Sequence, residues 1–233
     1  MADTLDPGAF DVLTFDCYGT LIDWERGLLA ALRPALGDAV AGVSDDELLE
    51  AFAAVEHEAQ SPYRPYRSVL AQALGELASR YGAEPSEDAR AAFAGSVGDW
   101  PAFPDSHAAL TRLQTRYRLV PITNCDDDLF AASAARLGIT FDDVVTAQQA
   151  GAYKPDERPF LLAFERLGIP RERILHVAQS LWHDHVTAGR LGLTSVWINR
   201  RAGRPGGGAT PPAHAAPDLE LPDLRSLADL LVG

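Results

Sequence analysis

The chain has 233 residues, of which 47% are hydrophobic, and a formal net charge of −13 at pH 7. This length predicts one domain, or one domain with an insertion. The negative charge argues against binding to nucleic acid or to an anionic membrane surface, and no apolar run is long enough to span a bilayer.

Two cysteines, Cys17 and Cys125, are too few for a disulfide framework, and we expect them to be buried free thiols. The first seven residues are acidic and unlike a signal peptide. These features predict a protein of the reducing cytoplasm.

The first predicted strand carries the residues around which the chain is organised. Val12, Leu13 and Phe15 belong to an apolar, β-prone run that ends at Asp16. Ligands of open α/β sheets bind at the carboxyl ends of strands. Gly19 allows a tight turn that brings backbone amides close to the acid. Asp16 is therefore either a nucleophile facing an anionic substrate or a residue that caps a turn.

A block of helical patterns with no convincing strand follows this first strand. Leucines recur there at helical spacing, and Ser44 and Ser86 are placed to cap helices. We interpret residues 22–100 as a helical cap inserted after the first strand. Residues 1–21 and 101–233 would then form the core domain.

Strand and helix patterns alternate in the second half of the chain. The predicted elements are helix 105–116, strand 118–123, helix 129–137, strand 144–146, helix 158–167, strand 174–178, helix 184–191, strand 195–198, strand 219–221 and helix 224–232. Alternating units predict a parallel sheet with helices on both faces, so the fold class is α/β. Residues 201–217, rich in Gly, Pro and Ala, predict a flexible loop.

Polar residues collect at the ends of four predicted strands. In chain order they are Asp16, Thr123, Asn124, Lys154, Gln179, Ser180 and Asp184. Each one alone could be a turn former, a cap or a surface residue. Because the carboxyl ends of parallel strands meet at one edge of a sheet, we expect them to share one active site.

These segments resemble the motifs of the haloacid dehalogenase (HAD) superfamily of hydrolases. They are Asp-Cys-Tyr-Gly-Thr-Leu at 16–21, Thr-Asn at 123–124, Tyr-Lys-Pro-Asp at 153–156 and Gln-Ser-Leu-Trp-His-Asp at 179–184. The resemblance covers nearly the whole chain, and the helical insertion falls where the family's cap falls. It implies a Rossmann-like core in which Asp16 is the nucleophile, Thr123 binds the substrate anion and Lys154 neutralises Asp16.

The sequence departs at two positions from the phosphatases that it resembles. Their first motif reads Asp-x-Asp, and here Tyr18 stands at the second Asp; in the fourth motif Gln179 replaces an acid, whereas Asp184 remains. Mg²⁺ requires hard anionic oxygens, so the lost acid weakens such a site, whereas a halide leaving group needs neither metal nor proton. The departures favour a 2-haloacid dehalogenase without a cofactor. A Mg²⁺-dependent phosphatase of small esters and a protein of this fold without hydrolase activity stay open.

The dehalogenase interpretation implies a short 2-haloalkanoate as the small anionic substrate. Asp16 would displace the halide and water would hydrolyse the resulting ester, while Asp184 orients Lys154 or assists the water. The predicted substrate contacts are Cys17, Tyr18, Thr123, Asn124, Gln179 and Ser180, with Trp182 and His183 as further candidates.

Dehalogenases of this branch resemble one another in using a cap arginine near the halide. No position here matches clearly; Arg64 and Arg67 are the candidates, and ordinary solvated arginines are the alternative. The acidic run at residues 126–128 resembles a metal cluster, but it stands where a helix begins, so helix capping is the better explanation. We therefore expect no metal site, and we leave a homodimer open.

Overall fold

A parallel β-sheet forms the centre of the molecule. The computed structural model describes residues 5–204 and 209–233. Its strands are β1 (Val12–Phe15), β2 (Arg118–Thr123), β3 (Val145–Thr146), β4 (Ile174–Ala178), β5 (Thr194–Ile198) and β6 (Leu219–Leu221). They form one sheet in the order β3-β2-β1-β4-β5-β6, in which every neighbouring pair is parallel. The predicted α/β fold with a parallel sheet is confirmed.

Helices surround this sheet and fill the segment between β1 and β2. The α-helices of the described residues are α1 (Trp24–Leu36), α2 (Asp45–Ala59), α3 (Tyr66–Tyr81), α4 (Glu87–Gly95), α5 (Ser106–Leu113), α6 (Asp127–Leu137), α7 (Ala147–Ala150), α8 (Arg158–Leu167), α9 (Val186–Leu191) and α10 (Leu224–Val232). Among these described residues, no helix has the length and apolarity needed to cross a bilayer.

Strand β1 lies at the centre of the sheet because it is apolar on both faces. All four of its residues are fully buried between β2 and β4. Phe15 pairs with Pro121 on one side and with Val177 on the other, so the ends of the three strands lie nearly level. Asp16 therefore emerges at the middle of the sheet's carboxyl edge.

The first four helices form an insertion that leaves and rejoins the sheet at one place. Ser44 Oγ accepts a hydrogen bond from Glu47 N and Ser86 Oγ accepts one from Ala89 N, which confirms both predicted caps. Where the insertion begins and ends, Ile22 and Ala102 form an antiparallel bridge. The helices lie where the sequence predicts them, while a domain boundary at residues 22 and 100 stays a prediction.

Several predicted boundaries needed correction. Helix α5 ends at Leu113 rather than at residue 116, because the following amides turn back onto carbonyls three or four residues earlier. The helix predicted to begin at Asp184 is preceded by a π-helical turn, Leu181–His185, which contains that residue. Helix α7 was not predicted. Part of the predicted loop at 201–217 lies outside the described residues.

Candidate active site

A buried lysine joins two carboxylates at the carboxyl edge of the sheet. Lys154, the only lysine of the chain, follows α7. Its Nζ donates to Asp16 Oδ1 at 2.9 Å, to Asp184 Oδ1 at 2.7 Å and to the carbonyl oxygen of Ile122 at 2.7 Å. An ammonium group has three hydrogens, so these bonds use all its donors and fix its position.

Burial makes this charge pairing strong. Lys154 is 1% exposed, Asp16 is 6% exposed and Asp184 is 0% exposed. Burial lowers the pKa of Lys154, but the two carboxylates outweigh this effect and raise it. Burial also raises the pKa of Asp184, but Lys154 and His176 outweigh it, so this pKa lies well below its usual range. The pKa of Asp16 is raised, because burial and the neighbouring Asp184 exceed the opposing effect of Lys154.

His176, on β4, contacts the Asp184 carboxylate. Its Nε2 lies 3.1 Å from Asp184 Oδ1, and its Nδ1 lies 2.9 Å from Thr14 Oγ1. An ionised carboxylate can only accept, so in a neutral ring Nε2 carries the hydrogen and Nδ1 accepts from Thr14. Asp184 Oδ1 thus accepts from both Lys154 and His176, whereas its Oδ2 is buried without a partner among the described residues.

The turn after β1 fixes the second oxygen of Asp16. Thr20 Oγ1 donates to Asp16 Oδ2 at 2.7 Å and accepts from Gln179 N at 2.8 Å. Gly19 has a φ of 95°, and a Cβ there would lie 3.1 Å from Trp24 Nε1, so only glycine suits this position. In the described part of the chain, the turn's own hydrogen bonds do not use the amides of Cys17 and Tyr18.

Asn124 holds the loop that carries the lysine. Its Nδ2 donates to the carbonyl oxygen of Lys154 at 3.0 Å, and Lys154 N donates to its Oδ1 at 2.7 Å. The preceding Thr123 is buried, and its Oγ1 has no hydrogen-bond partner among the described residues. The structure therefore gives the Asn124 amide a positioning contact, and leaves the Thr123 hydroxyl able to bind a ligand.

A small cavity of about 30 Å³ lies against this cluster. It is lined by Asp16, Tyr18, Trp24, Glu56, Tyr66, Asn124, Lys154, Ser180, His183 and Thr210. Of the predicted substrate contacts, Tyr18, Asn124, Ser180 and His183 belong to this lining.

The remaining predicted contacts lie around the cavity rather than in its wall. Cys17 and Cys125 are both buried free thiols, as predicted. The Trp182 ring packs edge-on against His57, and Gln179 lines a neighbouring pocket. Burial lowers the pKa of His183 to about 4, so His183 in the wall is neutral at pH 7.

Neither candidate arginine belongs to the cavity wall. Arg64 Nη1 donates to Gln72 Oε1 at 2.5 Å. Arg67 Nη2 donates to Asp128 Oδ2 at 2.6 Å, and its side chain is 46% exposed. In the part of the chain that the structure describes, no arginine lines this cavity.

The acidic run caps a helix, but not the helix predicted. Asp126 precedes α6 without capping it. Its carboxylate instead accepts from Tyr66 N at 2.8 Å and from Arg67 N at 3.1 Å, the first amides of α3. Asp126 therefore joins the end of β2 to the helical insertion. No group of three acidic, histidine or cysteine side chains in the described residues has the arrangement of a metal site.

The donor set does not fit the Mg²⁺ site of a phosphatase. Asp16 and Asp184 both accept from Lys154, and the third position, Gln179, is an amide. Tyr18, at the other altered position, directs its hydroxyl toward Cys125 Sγ at 3.2 Å and Ser133 Oγ at 3.0 Å. The Lys154 ammonium group is the cation that pairs with both carboxylates in the described residues.

Sequence reasoning missed six residues of the site. They are Thr20, Trp24, Glu56, Tyr66, His176 and Thr210. Thr20 belongs to the motif at residues 16–21, but its contact with Asp16 was not predicted. The signal for Glu56 was its helical spacing, since it shares a buried face of α2 with Phe52 and Ala59.

A parallel sheet with a helical insertion after its first strand, and a carboxylate–lysine cluster at its edge, define a class of hydrolases. The family model for haloacid dehalogenase-like hydrolases matches residues 10–190, and the chain belongs to this family.

Relatives of the chain include both dehalogenases and a phosphatase. The (S)-2-haloacid dehalogenase H-109 of Pseudomonas putida is 25% identical over 94% of this chain and 97% of its own length. The 5-amino-6-(5-phospho-D-ribitylamino)uracil phosphatase YigB of Escherichia coli (strain K12) is 28% identical over 96% of this chain and 97% of its own. The crystal structure of the L-2-haloacid dehalogenase PA0810 superposes with a TM-score of 0.79 at 26% identity, covering 95% of this chain and 98% of that chain.

Proposed function

We propose that the protein hydrolyses the carbon–halogen bond of short 2-haloalkanoic acids, such as haloacetate and 2-halopropionate, through an ester to Asp16. The observation that supports this proposal most is the Lys154 ammonium bonded to both Asp16 and Asp184. The nucleophile is thereby paired with a cation that belongs to the chain. No cofactor takes part in the proposed reaction.

The first step is an in-line displacement at C2 of the substrate. An ionised oxygen of Asp16 forms a bond to C2 while the carbon–halogen bond breaks, and the halide leaves with the bonding electrons. Lys154 stabilises the ionised nucleophile before attack. Thr20 fixes the orientation of its carboxylate.

The second step is hydrolysis of the ester at the carboxyl carbon of Asp16. Water adds to this carbon to form a tetrahedral oxyanion, which collapses and expels the alkoxide. One proton of the water passes to the alkoxide oxygen to give the 2-hydroxy acid, and the other is released to solvent, which restores ionised Asp16. Lys154 lies beside the developing oxyanion. The low pKa of Asp184 makes it a weak base, so its contacts support the role of orienting Lys154 rather than that of activating water.

The substrate carboxylate requires donors that the protein does not already use. The amides of Cys17 and Tyr18 and the buried hydroxyl of Thr123 are the groups we assign to it. The small volume of the cavity favours a small substrate over a large one.

The alternative is a Mg²⁺-dependent phosphatase of small phosphate esters. The resemblance to the phosphatase YigB and the unpartnered Oδ2 of Asp184 favour it. The amide at Gln179 and the pairing of both carboxylates with Lys154 oppose it.

The test is halide release from chloroacetate, fluoroacetate and 2-chloropropionate after exhaustive dialysis, with and without excess EDTA. We expect release at the same rate in both conditions. Parallel reactions contain 4-nitrophenyl phosphate with and without MgCl₂. Activity that EDTA abolishes and Mg²⁺ restores would overturn the dehalogenase proposal in favour of the phosphatase, and no turnover of either class would indicate a protein without hydrolase activity.

A further inference from the structure

We propose that the Glu56 carboxyl group donates a hydrogen bond to the departing halide, and that it does so only while it is protonated. The inference rests on the proposed function and adds a specificity-determining residue to it. Glu56 lies on α2, in the helical insertion, and lines the same small cavity as Asp16.

The geometry of in-line displacement directs the halide toward the insertion. Asp16 lies at the strand-end edge of the cavity, and the leaving group must depart on the side of C2 opposite to it. The residues that the insertion contributes to the cavity wall are Trp24, Glu56 and Tyr66. Glu56 is the one acid among them, and no arginine of the described residues takes its place.

The position of the Glu56 proton follows from its hydrogen bonds. Tyr66 Oη donates to Glu56 Oε1 at 2.9 Å, so this oxygen serves as an acceptor. A protonated carboxyl group has one O–H donor, which is then on Oε2. Glu56 is only 5% exposed, and burial raises its pKa to about 7 despite the opposing hydrogen bonds of Tyr66 and Gln60.

The titratable groups around Glu56 come from several elements. They are Asp16 and Tyr18 after β1, His57 on α2 itself, Tyr66 on α3, Cys125 after β2, Tyr153 and Lys154 after α7, and His183 after β4. Burial raises the pKa of all three tyrosines, raises that of Cys125 to about 12 and lowers that of His183 to about 4.

Protonation of Glu56 should make halide release faster at low pH than at high pH. Below pH 7 Glu56 is neutral and donates, whereas above pH 7 it is an anion that repels the departing halide beside Asp16. The rate of halide release should therefore fall as the pH rises through about 7. Fluoride, the smallest halide and the strongest acceptor, should depend most on this donor.

The test uses the first turnover of fluoroacetate and bromoacetate from pH 6 to pH 9 in wild-type protein and in Glu56→Gln, Glu56→Ala and Glu58→Gln variants. Glu58→Gln is the matched control, since Glu58 is exposed on the same helix. We expect the wild-type rate to fall about tenfold per pH unit well above pH 7. Glu56→Gln, which keeps an uncharged donor, should lose this fall above pH 7, and Glu58→Gln should behave as wild type.

At pH 6 the first-turnover rate of Glu56→Ala on fluoroacetate should be about 10- to 100-fold below that of wild type, because a hydrogen bond to a charged group is lost. The decrease on bromoacetate should be smaller. Circular dichroism of each variant verifies folding. A wild-type pH profile in Glu56→Gln, or a wild-type rate in Glu56→Ala at pH 6, would overturn the inference.

A binding measurement separates this inference from the proposed function. In ¹⁹F NMR, wild-type protein should broaden the signal of sodium fluoride at pH 6 but not at pH 8.5. Glu56→Gln should broaden it at both pH values. Broadening of this kind without turnover of any haloacid would refute the dehalogenase function alone. Turnover of haloacids without Glu56-dependent broadening would refute the role of Glu56 alone.

Discussion

The cavity has two walls that differ in their charge pairing. The wall formed by the strand ends contains Asp16, Lys154 and Asp184, whose charges are paired through hydrogen bonds. The wall formed by the helical insertion contains Glu56 and Tyr66, which bond to each other and have no paired cation among the residues that the structure describes. In the proposed mechanism the sheet fixes the reacting groups, and the insertion supplies the group that accompanies the departing halide.

Hydrogen bonds of Asp126 and Tyr153 are among the contacts that hold these walls together. Asp126, after β2, accepts from the first two amides of α3. Tyr153, next to Lys154, donates from its hydroxyl to the carbonyl oxygen of Arg64 at 2.8 Å. A substitution in one wall that keeps the hydrogen bonds of Asp126 and Tyr153 should therefore leave the other wall in place.

Removing Asp16, the proposed nucleophile, should have the largest effect. In Asp16→Asn we expect halide release to fall by at least about 10⁴-fold, because an amide cannot form the ester. The fold should survive, since the amide oxygen can still accept from Lys154. Initial rates are compared with those of Asp11→Asn, a control at the exposed residue just before the same strand.

Mass spectrometry must show that the introduced asparagine has not deamidated, since deamidation would restore the acid. Near-wild-type activity of intact Asp16→Asn would exclude the covalent mechanism.

Removing the cation should be the next largest effect. Lys154→Met leaves two buried carboxylates without their partner, so we expect at least about a 10³-fold loss of rate and a fall in Tm of about 6–20 °C at pH 7. The unpaired carboxylates will have raised pKa values, so the variant should be destabilised less as the pH is lowered. The rate of halide release is measured at pH 7, and thermal unfolding is measured at pH 5 and pH 7. A rate loss below tenfold would refute the proposed role of Lys154 in the cluster.

Loosening the contact between the walls should have the smallest effect. Asp126→Ala leaves two amides at the start of α3 without their cap, which costs about 1 kcal/mol and corresponds to a fall in Tm of about 2–4 °C. Asp128→Asn is the matched control, because its ion pair with Arg67 is exposed and should contribute little. Equal Tm values for the two variants, measured by differential scanning calorimetry, would contradict the assignment of Asp126 as the joining residue.

The strand-end wall could be predicted from the sequence, whereas most of the insertion wall could not. Asp16, Lys154 and Asp184 each follow a β-prone run or a turn signal, and a parallel sheet places such positions at one edge. The contact between Asp126 and the start of α3 joins residues 60 positions apart, and no local pattern specifies it. Glu56 showed only the helical spacing of a buried residue, which does not reveal what it faces.

The proposed mechanism requires an ester to Asp16, and a single turnover in ¹⁸O-labelled water shows whether that ester forms. Excess enzyme is reacted with 2-chloropropionate, and the peptide that contains Asp16 and the product are analysed by mass spectrometry. Because water adds to the carboxyl carbon of Asp16, we predict one ¹⁸O atom in that residue and none in the new hydroxyl group of the product. Label in the product hydroxyl with unlabelled Asp16 would contradict the mechanism and show that water attacks the substrate directly.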